Sequence, residues 1–209
     1  DACRQFKIAI EAKPTFVPAL IALADELVAQ DKPNKVKDMI EKAWKKEPHP
    51  DLLAPYLRAA DTKNSIEQVK ACETLLRINP NHLESRLAMV RSSLRAGLWG
   101  EARKHLEIIS ENEPREMNSR ICRFWADLEK AEHGDVEKTH SWLMRASRGQ
   151  APETWVCNSC GNTIQEWAAI CHNCDSFNTF VWGYPVSVGD QIGSNQIQKI
   201  NLQEVVDET

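Results

Sequence analysis

The chain has 209 residues, 42% of them hydrophobic, enough for one extended repeat domain with a small module or for two modest globular domains. Its 26 basic and 30 acidic side chains give a formal net charge of -4, so no overall positive field exists to hold nucleic acid phosphates, although Arg86, Arg91 and Arg95 make a local basic face. No apolar run reaches the roughly eighteen residues that a bilayer span needs.

The opening residues Asp1, Ala2, Cys3 and Arg4 resemble neither a signal peptide nor an initiator methionine, so the chain reads as a fragment of a longer protein, with any membrane anchor upstream. Prolines then recur near the tetratricopeptide length: Pro14, Pro48, Pro80 and Pro114 are separated by 34, 32 and 34 residues. Proline cannot continue a helix, and small or apolar residues upstream of it mark where the second helix of each hairpin packs. Ala2, Phe6 and Ala9 precede Pro14 in this way; Val36, Ile40 and Ala43 precede Pro48; Ala102, Leu106 and Ile109 precede Pro114. The Pro80 unit supplies Gln68, Cys72 and Leu75 and is two residues short, and a last unit carries Thr139, Leu143 and Ala146. A first-helix stripe is visible in Leu20, Leu23, Ala24, Leu27 and Val28. Turns follow at Asp31 to Asn34, Ala96 to Gly100 and His133 to Asp135.

Residues 1–151 therefore read as a tetratricopeptide-type α-solenoid that begins in mid-repeat, the competing arrangement being an irregular helical bundle. Placing Leu20 and Arg86 at the fourth repeat position puts Asp25, Arg91 and Arg95 on the inward face, where they are the candidate partner-binding residues. Arginine forks would there engage a carboxylate of a protein partner.

From residue 152 to 185 the pattern changes. Cys157 and Cys160 form one Cys-x-x-Cys pair, Cys171 and Cys174 a second, with ten residues between the pairs. Two such knuckles complete a tetrahedral sulfur shell for one zinc ion, with iron as a possible substitute. With four protein ligands no position remains for water or substrate, so the metal is expected to be structural. The other cysteines, Cys3, Cys72 and Cys122, stand apart, which suits a reducing compartment rather than a disulfide framework. His172, inside the second knuckle, reads as solvent-facing. Short strands are expected over 163–167 and 177–182, with Trp155, Trp167 and Trp182 as a miniature core and one of them packing near Trp142. Residues 186–209 form a polar tail.

Tetratricopeptide units leading into Trp155-Val156-Cys157, Glu166-Trp167, the second knuckle, Phe177, Val181-Trp182 and Pro185 resemble the C-terminal half of the HemY family, in its alphaproteobacterial branch. The LapB family of lipopolysaccharide assembly proteins, with repeats ending in a rubredoxin-like metal domain, is the second resemblance. The second knuckle lacks the proline and glycine of both patterns. The HemY resemblance implies a protein on the cytoplasmic side of the bacterial inner membrane, associated with haem biosynthesis, whose small β domain is a rubredoxin-like zinc ribbon. The expected function is a non-enzymatic protein-binding scaffold; the alternatives are an electron carrier or enzyme using iron at the four cysteines, and a LapB-like regulator. Nucleic acid is not an expected partner, because residues 151–185 hold no lysine or arginine. Haem is a lesser candidate through His105, His133 or His140, since no Cys-x-x-Cys-His motif is present.

Overall fold

The computed structural model describes residues 2–62, 64–112 and 118–185; Pro114 and the tail 186–209 lie outside the described residues. The chain divides into two compact units, Asp1–Gln150 and Ala151–Thr209.

In chain order, the described residues of the first unit form α1 (Ala2–Ala12), α2 (Val17–Ala29), α3 (Pro33–Lys46), a 3-10 turn at Pro50–Leu52 running into α4 (Leu53–Ala59), and α5 (Ser65–Ile78). They continue as α6 (Leu83–Ala96), α7 (Trp99–Asn112), α8 (Ser119–His133) and α9 (Val136–Arg148). Neighbouring helices pack in pairs, and like stacks on like: α2 touches α4, α6 touches α8, and α3 touches α5. That double contact, with the next helix and with the next helix but one, is how a helical repeat array closes its core.

Local chemistry sets the helix boundaries. Side chains of Asn64, His82, Asn118 and Asp135 accept hydrogen bonds from backbone N–H groups in the first turns of α5, α6, α8 and α9, satisfying donors that a helix start leaves open. Pro33 opens α3, where its fixed φ fits and its missing N–H costs nothing. The turn that follows each first helix contains one residue in the left-handed region: Asp31 (φ 56), Asp61 (φ 49), Gly97 (φ 70) and Gly134 (φ 63). Reversals such as Leu98 N–H to Ser93 C=O (2.9 Å) and Lys32 N–H to Leu27 C=O (2.9 Å) then close the helix end.

The positions marked by the proline spacing are buried in the three middle units, while Phe6 and Ala9 of α1 and Thr139 of α9 are only half-buried. Val36, Ile40 and Ala43, then Cys72 and Leu75, then Ala102, Leu106 and Ile109 all lie in the core. In the Pro80 unit the first core position is Val69 rather than Gln68, which is only half-buried. Two other expectations fail at the surface. Val28 is exposed because the stripe of α2 already ends at Leu27, and Leu143 is exposed because α9 buries Ala146. Polar links cross the core: buried Trp44 donates through Nε1 to Ser85 Oγ at 2.8 Å, and Tyr56 donates to Glu41 at 2.7 Å.

The second unit holds β1 (Thr154–Cys157), β2 (Thr163–Ile164) and β3 (Phe180–Gly183), antiparallel in the order β2-β1-β3. Trp155 faces Ile164 on one side and Trp182 on the other. Of the strands expected over 163–167 and 177–182, β2 stops at Ile164, and β3 begins only at Phe180 and runs on to Gly183. Phe177 pairs only in a single bridge with Ile170, and Asn178, at φ 54, breaks the extended path before Phe180. Trp155 is buried and meets Trp182 edge-on at 5.3 Å, whereas Trp167 and Trp182 are half-buried.

Candidate metal centre and helical face

Two turns of the same construction present the four cysteines. In the first knuckle Gly161 N–H donates to Cys157 C=O (2.8 Å) while Cys157 N–H donates to Asn162 C=O (2.8 Å). In the second, Asp175 N–H donates to Cys171 C=O (2.8 Å) and Cys171 N–H to Ser176 C=O (3.0 Å). The fifth residue of each turn needs positive φ, which Gly161 supplies at 75° and Asp175 at 55°. The missing glycine is thus replaced by a residue type that tolerates the left-handed region through its short polar side chain.

The result is convergence. The four Sγ atoms of Cys157, Cys160, Cys171 and Cys174 all lie within 4.8 Å of one another. Cys157 and Cys174 stand 3.7 Å apart, as do Cys160 and Cys171, far beyond the roughly 2.05 Å of a disulfide. A tetrahedron of sulfurs about 2.3 Å from a central zinc has an edge of about 3.8 Å, so this spacing is that of a metal-sized sulfur shell.

The surroundings stabilise negative sulfur unequally. A hydrogen bond with Thr179 Oγ1 (3.1 Å) draws the Cys157 thiol down to about 6. Contact with Ser176 Oγ (3.4 Å) lowers that of Cys174. At Cys160, hydrogen bonds from Asn173 and the Asn162 amide favour the thiolate, but desolvation and competition with Cys174 and Cys157 outweigh them and push the thiol up to about 11. Four thiolates this close repel one another, and a divalent cation is the group that lets all ionise together. Thr179 and Ser176 were not legible as contributors, because nothing in their spacing distinguishes a sulfur partner from an ordinary turn hydroxyl. His172 is exposed, outside the sulfur set.

On the helices, Asp25 is exposed and ion-paired with Arg58 of α4, so its carboxylate has a partner within the fold. Arg95 is exposed and Arg91 half-buried. Arg91 is therefore not the freely solvated charge that its repeat position suggests. Burial, then the charges of Arg120 and Arg95, holds its guanidinium below the usual arginine range, and Glu84 counteracts them. Arg120 grips Glu84 with both arms of its fork, at 2.6 and 2.9 Å. Repeat positions alone pointed to neither Glu84 nor Arg120. Of the histidines considered for haem, His105 is buried with Glu101 at 3.9 Å, while His133 and His140 are exposed on separate helices.

No family model matches the chain. It is 26% identical over 189 residues to a protein of Magnetospirillum gryphiswaldense named as probable magnetosome protein Mms48, an alignment covering 87% of this chain and 41% of that protein. The chain thus spans about two fifths of that relative's length. Two crystal structures of MamA share 14% identity over 70% of this chain, with TM-scores of 0.43 and 0.42 and 85% and 79% of their own chains covered. Among the described residues, no helix is long and apolar enough to cross a membrane.

Proposed function

We propose that the chain is a non-enzymatic protein-binding scaffold in which helical repeats carry the recognition surface and Cys157, Cys160, Cys171 and Cys174 hold one structural zinc ion. The observation that supports it most is the convergence of the four sulfurs into a closed shell. Such a shell fills every coordination position with protein, leaves none for substrate, and makes metal binding part of folding. Iron in the same shell would serve an electron carrier, so metal identity separates the two readings.

The recognition surface is assigned to the first-helix face bearing Asp25, Arg91 and Arg95, with a protein partner and no nucleic acid. Residues 152–185 form the ribbon domain and residues 1–151 the repeats. The HemY resemblance supports a scaffold on the cytoplasmic side of an inner membrane that serves haem biosynthesis. The Magnetospirillum relative, named as a probable magnetosome protein, favours a scaffold role in organelle assembly as the second reading.

The test is crosslinked capture from a membrane extract with the wild-type chain and with an Arg91→Glu, Arg95→Glu double variant. Loss of specific captured proteins by a folded variant is expected. An unchanged set would move the binding surface away from α6.

A further inference from the structure

One stripe of α6 runs from the interior to the surface. Glu84, Ala88, Arg91 and Arg95 are spaced by four, three and four residues, so they share one helix face. Glu84 and Ala88 are buried, Arg91 is half-buried and Arg95 is exposed. Arg120 reaches this stripe from the first turn of α8 and takes both oxygens of Glu84. Glu84 is thus taken up by Arg120, and its charge also reaches Arg91, two turns along α6, whereas Arg95 stands three turns away at the exposed end. His49 adds no further positive charge, since burial and then the Arg120 charge hold it neutral, with its protonation pushed down to about 4.

A partly desolvated guanidinium is costly unless an anion and further hydrogen bonds accompany it. The charge excess lies at Arg91 and Arg95, one helical turn or about 6 Å apart along the axis. Alternate side chains of an extended peptide are spaced by about 6.7 Å, which matches two forks each engaging a carboxylate.

We propose that the α6 face is a binding site for an extended acidic peptide, with carboxylates at alternate positions gripped by Arg91 and Arg95, and with Glu84 acting as an internal competitor that keeps Arg120 out of the site. This rests on the scaffold reading only for its choice of face. Charge complementarity selects the occupant, and the Glu84 competitor gives the site a signature that a merely structural ion pair lacks.

The experiment is fluorescence anisotropy of the whole chain with a fluorescein-labelled Glu-Ser-Glu-Ser-Glu-Ser peptide, its Gln-for-Glu counterpart, and inorganic phosphate as competitor at fixed ionic strength. The acidic peptide is expected to bind, and its glutamine counterpart not. Arg91→Gln and Arg95→Gln should each weaken binding by about tenfold or more, since a charge-assisted hydrogen bond contributes about 1.5–3 kcal/mol and 1.4 kcal/mol is tenfold. Glu84→Gln should tighten it severalfold by releasing Arg120, while Arg148→Gln, on exposed α9, should leave it unchanged. Arg95 is exposed, so its variant keeps the proposal falsifiable if Glu84→Gln proves unstable. Unchanged binding in Arg95→Gln, weaker binding in a folded Glu84→Gln, or displacement by phosphate as effective as by peptide would overturn the proposal. Peptide binding without any captured protein would leave this site standing and remove the scaffold reading. Captured proteins indifferent to Arg91 and Arg95 would do the reverse.

Discussion

Asp31 and Asp61 occupy the left-handed backbone region where the equivalent turns place Gly97 and Gly134. An L-residue gives up roughly 1–2 kcal/mol there, and glycine recovers only part of it because its unfolded chain is freer. Asp31→Gly and Asp61→Gly should each stabilise the repeats by about 0.5–1 kcal/mol, read as a higher urea midpoint at unchanged slope. His49 gives the pH counterpart. Burial lowers its pKa from 6.5 to about 4, so the unfolded state binds more protons between those values and stability rises with pH across that window. Its contribution is fully present above about pH 6.5 and is lost as pH falls through 4, up to about 3 kcal/mol in all. His49→Asn, which can still accept from Asp51 N–H, should show a shallower loss of urea stability between pH 6.5 and 4 than the wild-type chain; an equal slope would remove His49 as the cause. The four cysteines and the core positions Val36, Ile40, Leu106 and Ile109 were legible because fixed spacing carries them. Arg120, Glu84 and Thr179 were not, because their roles arise where separate elements meet and no periodicity records that.

Helix hairpins were legible wherever a turn signal and an apolar stripe agreed, as for α6 and α7 around Gly97. The short unit before Pro80 was harder to read: its first helix is replaced by a 3-10 turn and the seven-residue α4, and prolines at 48, 50 and 55 obscure the period. Near the C-terminal end of the array, an aromatic stack takes over from aliphatic burial. Trp125 and Trp142 lie 5.3 Å apart at an interplanar angle of 9°, with Arg103 over the first ring at 5.7 Å and Arg145 over the second at 4.8 Å. Since α9 buries so little else, Trp142→Ala should free it from α8 at a cost of about 2 kcal/mol. Hydrogen exchange would show this as faster exchange across α9 with α2 and α3 unchanged, and uniform acceleration would contradict it. In the second unit the strands were legible only in outline, because each knuckle spends residues on a turn that a period-of-two pattern cannot distinguish from strand.

At the scale of the molecule, the repeats have an apolar core of their own, whereas the small ribbon needs a cross-link to compensate for the little surface it can bury. Cys160→Ser or Cys174→Ser should therefore unfold the ribbon, seen as loss of near-ultraviolet tryptophan dichroism, and leave the helical far-ultraviolet signal nearly intact. Loss of both signals together would contradict independent folding of the repeats. The measurement that bears most directly on the metal-stabilised scaffold is elemental analysis with X-ray absorption spectroscopy on freshly purified protein. The account predicts about one zinc per chain surrounded by four sulfurs at about 2.3 Å. Metal absent, a shell with fewer than four sulfurs, or stoichiometric iron cycling between oxidation states would contradict it.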